Sequence, residues 1–221
     1  MTETAAVMSN GDQADDSRPT RGRPRDSEKN SAIIDAASVL FLENGFDGTS
    51  MDEVARRAGV SKQTVYSHFS SKEQLFADAI HITIAKYFPD AALQTVEVHT
   101  LESDLHAVAQ TFARLLLSDD AIAMHRVLVA AAGKGPELAQ MFWQAGPQEM
   151  NEKLEEFIGT WAEKGELRID SLEKASAQLI TLLKGKLHFM REIGMIGTVS
   201  EEEIKEQAAE AVECFLKLYK A

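Results

Sequence analysis

Between Asn44 and Glu73 the chain cannot form one long helix, because glycines and helix-capping serines interrupt it at close intervals. Ile33, Ala37, Leu40 and Phe41 recur at helical spacing before Asn44-Gly45-Phe46, which supplies a glycine able to close a helix. If Gly45 stands just past the end, Phe41 and Phe46 fall at the positions whose side chains touch in a Schellman ending. Ser50 with Glu53 has capping-box spacing and opens a helix from Met51 to about Ala58 that Gly59 must stop. Ser61 caps the next, with Val60 and Val65 placed as a hydrophobic staple, and this helix runs to Phe69. Ser70 with Glu73 repeats the box and starts a longer helix ending near Pro89.

Four helices therefore occupy residues 28–88, preceded by a tail, residues 1–25, too polar to recover the entropy of ordering. Beyond residue 89 the pattern predicts helices over 101–117, 120–132, 136–164 with a kink or break at Gly146-Pro147, 171–194 and 201–219. The last is capped by Ser200 with Glu203 and stapled by Val199 to Ile204. Thr95–Val98 alternates too briefly for a strand and is read as loop or helix start. The expected fold is all-α with about nine helices: an N-terminal three-helix helix-turn-helix unit joined by a fourth helix to a C-terminal bundle. The division is a basic arm and tail (1–25), a small helical domain with its linking helix (26–88), and a larger helical domain (89–221).

Charge is unevenly spread. The net charge is -12, yet residues 18–88 carry ten basic and nine acidic side chains while residues 89–221 carry thirteen and twenty-two. Arg18, Arg21, Arg23 and Arg25 crowd ahead of the small domain, so a polyanion is expected at that end and not over the whole surface. A single cysteine excludes an internal disulfide, and no apolar run approaches a bilayer span, so a cytoplasmic protein without membrane insertion is expected.

Met51–Ser70 fits a helix-turn-helix at several independent positions. Ala55 is small where two helices approach, Gly59 permits the turn, Val54, Ala58, Val60 and Val65 share an apolar contact, and Ser61 caps the second helix. The outward face of that second helix carries Lys62, Gln63, Thr64, Tyr66, Ser67 and His68, all able to bond to base edges or phosphates. The run from Ser31 to Ile80, including FLENGFDGTSMDEVARRAGVSKQTVYSHFSSKEQLF, resembles the DNA-binding domain of the TetR/AcrR family of transcriptional regulators. The resemblance implies that Thr49 and Ser50 meet phosphate, that Lys62, Gln63, Thr64, Tyr66 and His68 lie on the recognition helix, and that Lys72 clamps phosphate. His125-Arg126-Val127-Leu128-Val129, Pro136-Glu137-Leu138-Ala139, Gly146-Pro147 and Gly165-Glu166-Leu167 resemble the AefR-like C-terminal group within that family. Thr20-Arg21-Gly22-Arg23-Pro24-Arg25 resembles arms that enter a narrow minor groove, and equally suits a basic linker that binds phosphates without sequence preference.

In the acidic body Phe88, Phe112, Met124, Phe142, Trp143, Met150, Phe157, Trp161, Phe189 and Met190 are large apolar residues; most belong to a core and a minority to a cavity. The resemblance implies an inducer cavity among these helices, with Phe88, Phe112, Met124, His125, Phe142, Trp143, Met150, Phe157, Trp161 and His188 as candidate lining and Gln110 and Gln144 as further polar candidates. Methionine and tryptophan walls favour a bulky hydrophobic effector. Helices 171–194 and 201–219 carry apolar stripes too wide for one partner and are the expected homodimer interface, with Cys214 beside them as a small buried residue. No cofactor is expected. Nucleotide-binding glycine motifs and a His-Glu-x-x-His pair are missing, Gly133-Lys134-Gly135 lacks phosphate-loop spacing, and His99 with His106 lacks a third metal ligand.

Together these readings predict no enzyme but a homodimeric regulator, a repressor in the first instance, that binds a palindromic double-stranded DNA operator and is released by a small hydrophobic effector. The alternative is a helical ligand-sequestering or architectural protein whose helix-turn-helix reads no specific operator. The share of the chain retained on particular DNA fragments over competitor separates the two.

Overall fold

The structure, a computed structural model, describes residues 23–88 and 100–221. The tail ahead of Arg23, with Arg21 in it, and the Thr95–Val98 segment lie outside the described residues. Ten α-helices follow one another: α1 (Arg23–Gly48), α2 (Met51–Ala58), α3 (Lys62–His68), α4 (Lys72–Tyr87), α5 (Leu101–Leu116), α6 (Asp119–Ala131), α7 (Glu137–Gln144), α8 (Pro147–Glu163), α9 (Leu172–Glu192) and α10 (Glu201–Tyr219). Among the described residues the one β-type contact is an isolated antiparallel bridge between Leu167 and Lys220.

Among the described residues the count is ten and not nine because Gly146-Pro147 divides the 136–164 stretch completely. Pro147 takes the first position of α8, where its missing N–H would be unpaired in any case and its ring bars continuation from α7. α1 begins at Arg23, ahead of the expected residue 28, with Pro24 again near a helix start, so Arg23 and Arg25 stand in the first turns of a helix and not in a tail. Within α1 the backbone leaves helical geometry at Gly45, the expected stop. Phe41 and Phe46 stack there at 5.7 Å between ring centres, and Phe76 of α4 meets each edge-on at 5.3 Å. Truncating one such buried ring costs about 3–5 kcal/mol.

The caps are local and follow the sequence closely. Ser50 and Glu53 form a reciprocal capping box on α2, Ser61 accepts from the Thr64 amide of α3, and Ser200 with Glu203 repeats the box on α10. Gly59 sits at φ 68°, ψ 27°, a left-handed turn conformation that a Cβ disfavours, and it aims α3 away from α2. The cap of α4 is Ser71 and not Ser70: the Ser71 hydroxyl accepts from the Gln74 amide at 3.2 Å, while the Ser70 amide and hydroxyl both donate to the Gln74 side chain. Extended backbone at Ser71 turns its side chain onto the helix end.

Two apolar cores result. One joins α1–α4 through Ile33, Ala37, Phe41, Val54, Val65, Leu75 and Phe76, and takes in Met124 from α6. The other joins α5, α8, α9 and α10 through Leu105, Phe112, Leu154, Ile158, Leu179 and Phe215. α6 bridges them by packing on both α1 and α9. Arg126 of α6 donates through Nε to the Glu192 carbonyl at 2.9 Å and also reaches the Arg191 carbonyl, capping the C-terminus of α9. Arg191 reciprocates by donating to the Leu117 carbonyl and the Asp119 carboxylate at the start of α6.

Most of the stripes on 171–194 and 201–219 are consumed inside the chain: Ala175, Leu179, Leu183, Ile204, Ala208, Ala211 and Phe215 are buried. Leu172, Phe189, Ile193, Met195 and Leu218 remain exposed on and just beyond these helices. Cys214 is exposed too, contrary to expectation, because it follows Ala211 and Val212 round to the outer side of α10 while they face in.

Candidate nucleic-acid interface and ligand cavity

α3 is short, and Val65, its one buried residue, anchors it to the first core. Lys62, Gln63, Tyr66 and Ser67 are exposed, and Thr64 and His68 are half-buried. The Lys62 ammonium pairs with Asp52 of α2 at 2.7 Å, which raises its pKa, and lies 5.8 Å from the centre of the Tyr66 ring. An exposed pair of this kind is weak and yields readily to a phosphate. Gln63 and Tyr66 extend from the same exposed surface. The Thr64 hydroxyl is 2.8 Å from that of Ser61, and Ser67 donates to the Thr64 carbonyl, so both serve the helix itself. His68 leans on Phe69.

The positions expected at phosphate divide differently. The Thr49 side chain is buried, its hydroxyl within 2.9 Å of the Leu40 carbonyl and 2.8 Å of the Gly45 carbonyl. It locks the α1 to α2 turn instead of facing outward, because the kink at Gly45 turns those carbonyls toward it. Ser50 is exposed but its hydroxyl is engaged by Glu53. Lys72 donates to the Phe46 carbonyl at 2.8 Å and the Thr49 carbonyl at 3.1 Å, and its ammonium stands 4.4 Å over the Phe46 ring. It thus clasps α4 to the turn before α2, with one of its three donors left over.

A cavity of about 210 Å³ opens between the two cores. α4 contributes Ile80, Thr83 and Ile84; α5 contributes Phe112, Leu115 and Leu116; α6 contributes Ala121, Met124 and His125. Phe142 and Trp143 come from α7, Pro147, Met150 and Asn151 from α8, and Ile180, Lys184 and His188 from α9. Of the expected lining, Phe112, Met124, His125, Phe142, Trp143, Met150 and His188 are brought together. Phe88, Phe157 and Trp161 are not: all three are buried in the second core, Phe88 with its ring centre 4.5 Å from that of Phe112. Gln110 and Gln144 do not line it either. Sequence reasoning missed the α4 wall and Ile180 with Lys184. The four-residue spacing of Ile180, Lys184 and His188 was a usable signal for the latter.

His188 is nearly enclosed, and burial pushes its pKa down to about 4 against the opposing pull of Glu192. Its Nδ1 lies 3.5 Å from the Glu192 carboxylate, which is also contacted by His125 Nδ1. Close packing holds the α4 wall: a Cβ on Gly146, at the α7 to α8 break, would stand 2.4 Å from Ile84 Cδ1. Among the described residues no cluster of His, Cys, Asp or Glu suits a metal ion, and no helix is long and apolar enough to cross a membrane.

Comparison with known proteins agrees with this architecture. Residues 33–79 match the domain described as bacterial regulatory proteins, tetR family, and residues 103–221 match the C-terminal domain of AefR-like transcriptional repressors. The HTH-type transcriptional regulator YdeS of Bacillus subtilis is 31% identical over 160 residues, covering 72% of this chain and 78% of that one. A TetR-family regulator from Mesorhizobium loti superposes with a TM-score of 0.74 at 27% identity, covering 90% of this chain and 100% of that one. The flavonoid-responsive regulator FrrA superposes with a TM-score of 0.70 at 30% identity, covering 88% and 98%. With a helix-turn-helix at one end and an AefR-like bundle at the other, the chain belongs to the TetR family of bacterial transcriptional regulators.

Proposed function

We propose that this protein is a ligand-responsive repressor that binds a palindromic operator as a homodimer and leaves it when a hydrophobic effector fills the cavity. The observation that carries the reading is that α4 belongs to both sites. At one end Lys72 holds it to the turn before α2; farther along, Ile80, Thr83 and Ile84 form a wall of the cavity. The two apolar cores support a division into a DNA-binding unit over 26–88 and an effector and dimerisation unit over 89–221.

On this reading Lys62, Gln63, Tyr66 and His68 meet bases or phosphates, the Lys72 and Ser50 end meets backbone, and the arginines at 21, 23 and 25 add affinity. Two recognition helices must sit about 34 Å apart to enter successive major grooves. An effector that wedges α4 and α6 away from α7 and α8 alters that separation, since α6 also packs on α1. About 3 kcal/mol of coupling weakens operator binding more than a hundredfold. Aromatic walls from Phe112, Phe142 and Trp143 favour a planar ring system, and the likeness to a flavonoid-responsive regulator supports the same class.

The test is linkage. Operator affinity is measured by fluorescence anisotropy with and without an aromatic ligand first shown by calorimetry to bind the protein. Weakened DNA binding, with reciprocally weakened ligand binding on DNA, is expected; equal affinities in both directions refute the switch.

A further inference from the structure

We infer that the effector is an organic anion, an aromatic acid whose carboxylate is received by Lys184. The inference rests on the cavity being the effector site and names the class of molecule it takes. α9 turns Ile180, Lys184 and His188 toward the cavity at four-residue spacing, and Lys184 is the one lysine or arginine among the lining residues. It is half-buried, and among the described residues its ammonium makes no hydrogen bond or ion pair.

Lys184 is set apart by its place in the cavity wall, where the other lining side chains are apolar or uncharged apart from the two histidines. Neighbouring cations are paired: Lys86 with Asp120, and Arg191 with Asp119. Glu192, two turns beyond Lys184 on α9, is taken by His125 and His188 instead. The other lining donors are partly spent on the fold, since the Thr83 hydroxyl donates to the Ala79 carbonyl at 2.9 Å and the Asn151 amide to the Pro147 carbonyl at 2.8 Å. Against walls that are mostly apolar, a ligand carboxylate gives the Lys184 ammonium a charge-assisted bond. Phe112, Phe142 and Trp143 hold the ring while Lys184 fixes which end faces α9.

The experiment uses the full chain and three compounds. Neutral N-phenyl-1-naphthylamine, followed by energy transfer from tryptophan, reports occupancy of the cavity without regard to charge. 2-Naphthoate and 2-naphthamide, nearly equal in size, then compete with it in wild type and in Lys184→Met. Naphthoate is expected to displace the probe about tenfold or more better than the amide in wild type, and the variant should level the two. Lys184→Met should also melt no lower than wild type, because the cation it removes stabilises nothing in the free protein. If the probe binds but acid and amide compete equally, or if the variant keeps the preference, the anion reading is overturned and the cavity reading stands. If neither the probe nor naphthoate binds, both fall together.

Discussion

Thr64 and Tyr66 lie two positions apart on α3 and do different work. The Thr64 hydroxyl belongs to the helix cap, whereas Tyr66 is 47% exposed, with the Lys62 ammonium 5.8 Å from its ring centre. Tyr66→Ala should therefore weaken specific DNA binding by about 1–3 kcal/mol while shifting stability by no more than about 0.5 kcal/mol. A gel shift beside a thermal melt checks both halves. His188 makes the opposite kind of prediction, one about folding. Burial lowers its folded pKa to about 4, below the ordinary 6.5, so between those values the unfolded chain binds a proton that the folded chain does not. The sign follows: stability is full above about pH 6.5 and falls as the pH drops toward 4. Urea midpoints at pH 7 and pH 5 should separate more in wild type than in His188→Asn, and equal separations would mean that His188 is not held neutral.

α9 contains an interruption that its neighbours have absorbed. Gly185 sits at φ 50°, ψ -156°, and the Leu182 carbonyl accepts instead from Gln207 Nε2 of α10 at 2.9 Å. A Cβ at 185 would meet that amide at 2.5 Å, so Gly185→Ala both strains the backbone and displaces the replacement bond. A loss of about 1–3 kcal/mol by urea denaturation is expected; a stability equal to wild type would mean that α9 straightens without cost. Elements of this kind also show what was readable beforehand. Ser50 with Glu53, Ser61, and Ser200 with Glu203 act within one turn, so spacing alone located them. The Ser70 and Ser71 choice turned on the extended backbone at Ser71, and the completeness of the break on the non-helical backbone at Gly146 ahead of Pro147. Cavity lining was less legible still. Phe112 faces the opening while Phe157 and Trp161 are enclosed, and only the packing of six helices decides which side of each ring is empty.

Along the chain the charge is strongly negative over 89–221 and nearly balanced over 18–88, so on the proposed reading repulsion from DNA is weakest at the recognition end. Phe189, Ile193, Met195 and Leu218 are all more than half exposed on or beside α9 and α10, and on the proposed reading they meet a second copy. Phe189→Asp with Leu218→Asp should yield a monomer by analytical ultracentrifugation and abolish tight operator binding, since each half-site alone is held weakly. An intact dimer would place the interface elsewhere. Sequence-specific reading by a pair of α3 helices is the central claim. Its most direct measurement is sequencing of the genomic fragments that the purified protein retains against competitor DNA. An inverted repeat with half-sites about 34 Å apart, or a multiple of that, retained about a thousandfold over bulk and markedly less with Tyr66→Ala, is the predicted result. A flat profile from a folded dimer would contradict it.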